Sequence, residues 1–550
     1  MATLALAQDN AFGQPLESQL RSCLLATWIC DAAGVDDEER ETVYWVALLR
    51  YVGCTGHAHE VATVFGDEIA IRAQTLVHDA ANPTEVMRDV MAFATAGRGP
   101  EERDEIVRMI QETAREWAVY NFSSGCEVAD MLVQRLDVGP GVRDALRFTF
   151  ERWNGNGYPA HVQGEAIPLA MRVVHLSHDM EAIGRLFSPE HALDAARDRR
   201  DRTYDPTLAD LFVAHGGEWF DRLSETDPWD AVLALEPEPH RMLTGADLDE
   251  ALTVVADFID LKSPYMGGHS RRCADLAADA ARLLGLDEAD VATLRRAAFV
   301  HDFGTTVVPN SIWDKPGPLT RTEFDRVELH PMLTEQMLRR SPALAALNTS
   351  ACAHHEKCDG SGYHKRVRAD HDDLGACVLA ATEIYVGLTA ERADRQPFSS
   401  DDAAAELRRL ESAGVLEAPR QPRGPGRRGA RRAATAVGPA PGASGRPDRT
   451  GGRRPAPCGQ GPHDPRDRRP ALHLPQDRRS PHPAHLRQDR RVDPRRGRPL
   501  GDAAHRRAVS SRGRCGSRPG PAASAATGAR PGSSARSRTD TAGCSRGRRR

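Results

Sequence analysis

Apolar residues recur with helical spacing through most of the first 417 positions, and no stretch alternates convincingly in the manner of a half-buried strand. In His269 to Leu284, the residues Cys273, Leu276, Ala277, Ala280, Leu283 and Leu284 fall on one face, as in an amphipathic helix. A second apolar run, Leu294, Ala297, Ala298 and Phe299, ends at His301-Asp302 and would bring that pair against a helical core. The pattern predicts an all-α protein. Leu235-Glu236-Pro237-Glu238-Pro239 sets two prolines in an acidic stretch that neither a helix nor a strand continues easily, so residues 236–244 read as a linker.

The two halves on either side of the linker repeat. An offset of 251 places Gly285 on Gly34, His301 on Arg50 and Gly304 on Gly53; an offset of 205 places the string from His354 to His364 on the one from Thr149 to Pro159. Two copies of one helical unit are expected, over 1–235 and 245–410. The same offsets give Ser18, Arg50, Tyr51, Gly125, Thr149 and Phe150 where the second half has His269, His301, Asp302, His330, His354 and His355. Metal chemistry is therefore expected of the second copy alone, with the first structural or regulatory.

Composition changes the picture at the C-terminal end. Residues 418–550 hold 33 Arg and 8 Asp with no Lys or Glu, a balance of +25, which leaves −30 on residues 1–417 against −5 for the chain. Such acidity argues against nonspecific nucleic-acid binding by the first part. The region 411–550 is expected to be a disordered Arg/Pro/Gly/Ala-rich tail, because it lacks the apolar residues for a core. Codons that encode Arg446 onward can also be read one nucleotide displaced, and that text resembles a LuxR-type helix-turn-helix. A frameshift near residue 417 is the expectation, with no sequence-specific DNA binding by the chain as written.

The eleven cysteines form no CxxC pair, no N-terminal stretch has the make-up of a secretion signal, and no apolar run reaches the roughly 18 residues of a membrane span. The reading is a cytoplasmic protein with no membrane partner.

Imidazoles and carboxylates are the ligands that divalent transition metals need, and His301-Asp302 supplies one of each from adjacent positions. Joined in order to His269, His330 and the string His354-His355-Glu356-Lys357-Cys358-Asp359-Gly360-Ser361-Gly362-Tyr363, the pair becomes a metal phosphohydrolase pattern. This set, with IDLKSPYMGGHSRR around His269 and VPNSIWDKPGPLT after the HDFG, resembles the HD-GYP family of the HD phosphohydrolase superfamily. The resemblance covers roughly 245–400 and returns in degenerate form over 1–235.

The resemblance implies a helical bundle that hydrolyses cyclic di-GMP or a related nucleotide with divalent metal ions. Two ions are expected, Fe or Mn ahead of Mg or Zn. It assigns His269, His301, Asp302, His330, His354, His355 and Glu383 as metal ligands, with Asp302 bridging and the His301-Asp302 pair catalytic. It assigns Asp359, Gly360, Gly362 and Tyr363 to a loop beside the substrate. Three positions depart from the family pattern: Thr305 stands for a Lys or Arg, His364 for the proline of GYP, and Glu383 for an Asp. A homodimer is compatible with this reading. The competing reading is a transcriptional regulator in which the region senses a nucleotide ligand and the LuxR-type output is missing.

Overall fold

The computed structural model describes residues 1–366 and 374–416; the expectations for the tail and its reading frame lie outside them. Among the described residues the architecture is all-α, with two isolated β-bridges and no strand. The first half is built on helices Ala2–Ala11, Ser18–Ala33, Asp37–Leu49, the 37-residue Pro100–Leu136, Leu169–Leu186 and Pro206–Glu225. The second half is built on Gly245–Asp260, His269–Leu284, Glu288–Val300, His330–Leu338, Leu374–Thr389 and Ser400–Ser412.

The same local chemistry starts and stops corresponding helices. Gly34 and Gly285 end theirs in the left-handed region, at φ 67° and 83°, where a side chain would be strained. Two residues later Asp36 and Asp287 cap the next helix, accepting from Glu39 N and from Ala289 N and Asp290 N. The close approaches correspond as well. A Cβ on Gly53 would lie 1.9 Å from Gly125 O and 2.7 Å from Ala129 N; on Gly304 it would lie 2.0 Å from His330 O and 2.8 Å from Thr334 N. Gly157 and Gly362 likewise press on the backbones of Glu151-Arg152 and Glu356-Lys357.

Besides two departures from the sequence reading, at Leu283 and past residue 410, one hydrophobic core runs through both halves, from Leu4 and Leu24 to Phe299 and Leu379. The cause is helix Ala2–Ala11, buried along its whole length: Gln8 Nε2 donates to Leu48 O at 3.0 Å within the first half, while Asn10 Nδ2 reaches Met337 Sδ in the second. Leu283, placed on the apolar face, is 69% exposed, because Ala274, Ala277, Ala278 and Ala281 make the buried stripe and turn it outward. The ordered chain also continues past residue 410, where Cys358 N donates to Val415 O at 3.1 Å.

Candidate metal centre

The second-half helices deliver their polar side chains to one buried point. His269 is the first residue of its helix, whose start is held by Asp260: Oδ2 accepts from Ser270 N at 2.9 Å and Oδ1 from Ser270 Oγ at 2.7 Å. His301 follows helix Glu288–Val300, Asp302 opens the next turn, and His330 begins its own helix. His354 and His355 follow the short helix Asn348–Ala351, and Glu383 lies within Leu374–Thr389. His269, His301, Asp302, His330 and His354 are at most 2% exposed, and Glu383 is buried too. Burying so many ionisable groups is costly unless they find partners.

The ligand atoms form two groups. His269, Cys273, His301 and Glu383 offer donor atoms within 4.8 Å of one another, and so do Asp302, His330, His354 and His355. Glu383 Oε2 lies 2.8 Å from His269 Nε2 and 3.1 Å from His301 Nε2, so the longer carboxylate reaches the first group. Asp302 stands between them. Its Oδ2 is 3.7 Å from His269 Nε2 and 3.5 Å from His301 Nε2, while Oδ1 is 3.3 Å from His330 Nε2 and 3.4 Å from His354 Nε2.

Backbone carbonyls orient the rings. The Nδ1 atoms of His301, His330 and His354 lie 2.7, 2.7 and 2.6 Å from Ala298 O, Val327 O and Ala351 O. A ring that donates from Nδ1 presents the lone pair of Nε2 to the centre, the arrangement usual for metal-bound histidine. Burial opposes a charge on His301, yet the Asp302 and Glu383 carboxylates outweigh it and push its pKa up to about 10. Burial raises both acids, but His301, His330 and His354 hold Asp302, and His269 and His301 hold Glu383, well below the usual carboxylate range. The two acids together draw positive charge to this point. Asp302 Oδ1 makes no hydrogen bond although buried, and the donor set of imidazoles and carboxylates suits a pair of divalent ions.

The expected loop residues divide. Tyr363 stacks on His355 with ring centroids 4.2 Å apart and meets His330 edge-on, which puts it beside the second group. Gly360 takes φ +77°, and a Cβ on Gly362 would fall 2.6 Å from Glu356 Cα, so both glycines are required by the path of the turn. Asp359 is exposed and accepts from Ser361 N at 2.9 Å, a turn-forming bond. Thr305 donates its hydroxyl to Asp302 O at 2.8 Å, which steadies the turn after the HD pair. His364 is partly buried in the chain leading away from the site.

Sequence reasoning missed Cys273, which reads as a core residue, although its position four after His269 was a usable signal. It also missed Lys262, whose Nζ donates to Glu68 Oε1 at 2.9 Å and to Val308 O at 2.6 Å, tying the first half to the turn after Asp302.

The 251-residue offset pairs His301 with Arg50 of the first half. Arg50 donates to Val174 O at 3.1 Å and lies 3.7 Å from Asp179 Oδ1, both side chains buried. His178, at the position of Glu383, bonds Asp179 at 3.4 Å.

Residues 253–413 match the HD domain family. The chain is 30% identical over 413 residues to 3′3′-cGAMP-specific phosphodiesterase 3 of Vibrio cholerae, covering 74% of this chain and 89% of that protein. It is 30% identical over 165 residues to the cyclic di-GMP phosphodiesterase response regulator RpfG of Xanthomonas campestris, covering 29% of this chain and 42% of the relative. Among solved structures, the cyclic GMP-AMP-specific phosphodiesterase V-cGAP3 of V. cholerae matches with a TM-score of 0.53 and 25% identity, over 80% of this chain and 95% of that one. With a relative matched over nearly its whole length, and with the HD pair at the meeting point of the second-half helices, the chain belongs to the HD-domain phosphodiesterases.

Proposed function

We propose that this protein is a two-metal phosphodiesterase that opens a cyclic dinucleotide, 3′3′-cGAMP ahead of cyclic di-GMP. The observation that carries the metal reading is Asp302, whose two oxygens face two separate ligand groups. His269, His301 and Glu383 would hold one ion, His330, His354 and His355 the other, and Asp302 would bridge them. Two ions so placed would supply an activated water and neutralise the phosphodiester charge. The backbone carbonyls keep three imidazoles in the ligating tautomer, and burial excludes bulk water from the ligand side. Tyr363, stacked on His355 and partly exposed, would give a base an aromatic surface to lie against. In hydrolysis the water oxygen bonds to phosphorus, the bond to the departing sugar oxygen breaks, and that oxygen takes a proton.

The preference for 3′3′-cGAMP rests on the extent of similarity: the cGAMP-specific relative matches over 413 residues, the cyclic di-GMP relative over 165. We also read the first half as a second copy of the unit that has lost its ligands, supported by the matching caps and glycine approaches. Residues 418–550 we assign to a displaced reading frame, which resequencing the gene tests.

The functional test uses the full chain: bound metal by elemental analysis, and turnover of each dinucleotide beside an Asp302→Asn control. Metal with faster 3′3′-cGAMP hydrolysis is expected. Metal with no turnover of either compound would favour the ligand-sensing regulator, and protein that binds no metal would overturn the site.

A further inference from the structure

Cys273 has no part in the chemistry above. It is fully buried and follows His269 by four residues on one helix, so both side chains leave the same face one turn apart. Its Sγ lies 3.7 Å from His269 Nε2 and donates to Glu383 Oε2 at 3.3 Å. A buried cysteine that merely fills space behaves as a small apolar residue and needs no such partner. This one sits among ligand atoms. A tetrahedral ion with metal–nitrogen bonds of about 2.0–2.1 Å and a metal–sulfur bond of about 2.3 Å holds its nitrogen and sulfur ligands roughly 3.5 Å apart. The observed separation has that scale.

We propose that Cys273 is a thiolate ligand of the ion held by His269, His301 and Glu383, an inference that rests on the two-metal reading. On binding, the thiol proton leaves to solvent and a sulfur–metal bond forms, with no change of oxidation state. The two metal positions then differ in kind. One has a sulfur, two imidazoles, the Glu383 carboxylate and a share of Asp302; the other has three imidazoles and a share of Asp302. Sulfur makes the first position softer, so it selects Fe²⁺ or Zn²⁺ over Mn²⁺ and Mg²⁺.

Cobalt(II) is the probe, because a thiolate–cobalt bond adds intense near-ultraviolet charge-transfer absorption that nitrogen and oxygen ligands do not. The full chain, Cys273→Ser and Cys273→Ala are loaded with Co²⁺ and compared by absorption, cobalt content and circular dichroism. The expected result is a thiolate band in the parent chain that both variants lose while keeping their helix content, with Zn²⁺ binding weakened about tenfold or more. Cobalt bound without a thiolate band, or a band that persists in Cys273→Ala, would overturn the cysteine assignment and leave the metal centre standing. Failure of the parent chain to take up cobalt would overturn both.

Discussion

Asp302 carries more of the site than any other residue, since each of its oxygens faces a different pair of imidazoles. Replacing it with Asn keeps size and shape but removes the charge and gives one arm an amide that cannot ligate well. Asp302→Asn is expected to lower metal content and to cut turnover by at least about 100-fold, measured by elemental analysis and product formation, with unchanged circular dichroism. Unchanged metal and turnover would refute a bridging role. Much of this was legible in the sequence, because His269, His301-Asp302, His330, His354 and His355 are residue types with few structural reasons to be buried together. Glu383 was legible only as a departure, and its reach to His269 and His301 depends on where helix Leu374–Thr389 sits. Cys273 was legible only through its place four residues after His269, because periodicity by itself assigns a buried cysteine to the core.

At the scale of elements, the glycines matter as much as the ligands. Gly304 lets the turn after Asp302 lie on the first residue of the His330 helix, where a Cβ would meet His330 O at 2.0 Å and Thr334 N at 2.8 Å. Both neighbours are backbone and cannot rotate away. Gly304→Ala is therefore expected to cost about 1–3 kcal/mol in denaturant unfolding and to weaken metal binding by displacing His330. Gly317→Ala, with nothing within 4 Å of the added methyl, serves as the control and should leave metal binding unchanged. The sequence made the repeated glycine and capping pattern visible, since Gly34 with Asp36 and Gly285 with Asp287 recur at one offset. It misplaced Leu283, because a helical stripe defines an apolar arc without saying which edge of it a neighbouring helix covers.

For the whole molecule, the continuous core makes the first half part of the second half's stability, a relation that sequence alone could not reveal because Glu68 and Lys262 are 194 residues apart. Their ion pair is buried, at 0% and 6% side-chain exposure, and Glu68 also accepts from Asn310 N. Removing one partner strands the other, so Glu68→Ala is expected to destabilise the protein by about 3–5 kcal/mol in urea unfolding. A double change, Glu68→Gln with Lys262→Met, should recover part of that loss. Acid should act through the first half's neutral histidines. Burial, with Arg50 close by, lowers His178 to about 4; burial with Arg152 and Arg50 holds His175 well below its ordinary value; burial with Arg72 lowers His57 to about 3. A base whose folded pKa is depressed keeps its full contribution above the unfolded value near 6.5. Below it the unfolded chain takes up protons that the folded chain refuses, so stability falls toward pH 4 by about 1.4 kcal/mol per pH unit for each such histidine. Asp260, raised by burial to about 6, works in the opposite direction over part of the window, as do Asp9 and Glu17, which burial also raises; burial lowers His354 and His355 alongside the three named histidines. In chelator, so that bound ions do not contribute, the melting temperature should decline steadily from pH 6.5 to 4. His178→Gln, which cannot be protonated, should make that decline shallower; an equal slope in the variant would exclude His178 as a source of acid sensitivity.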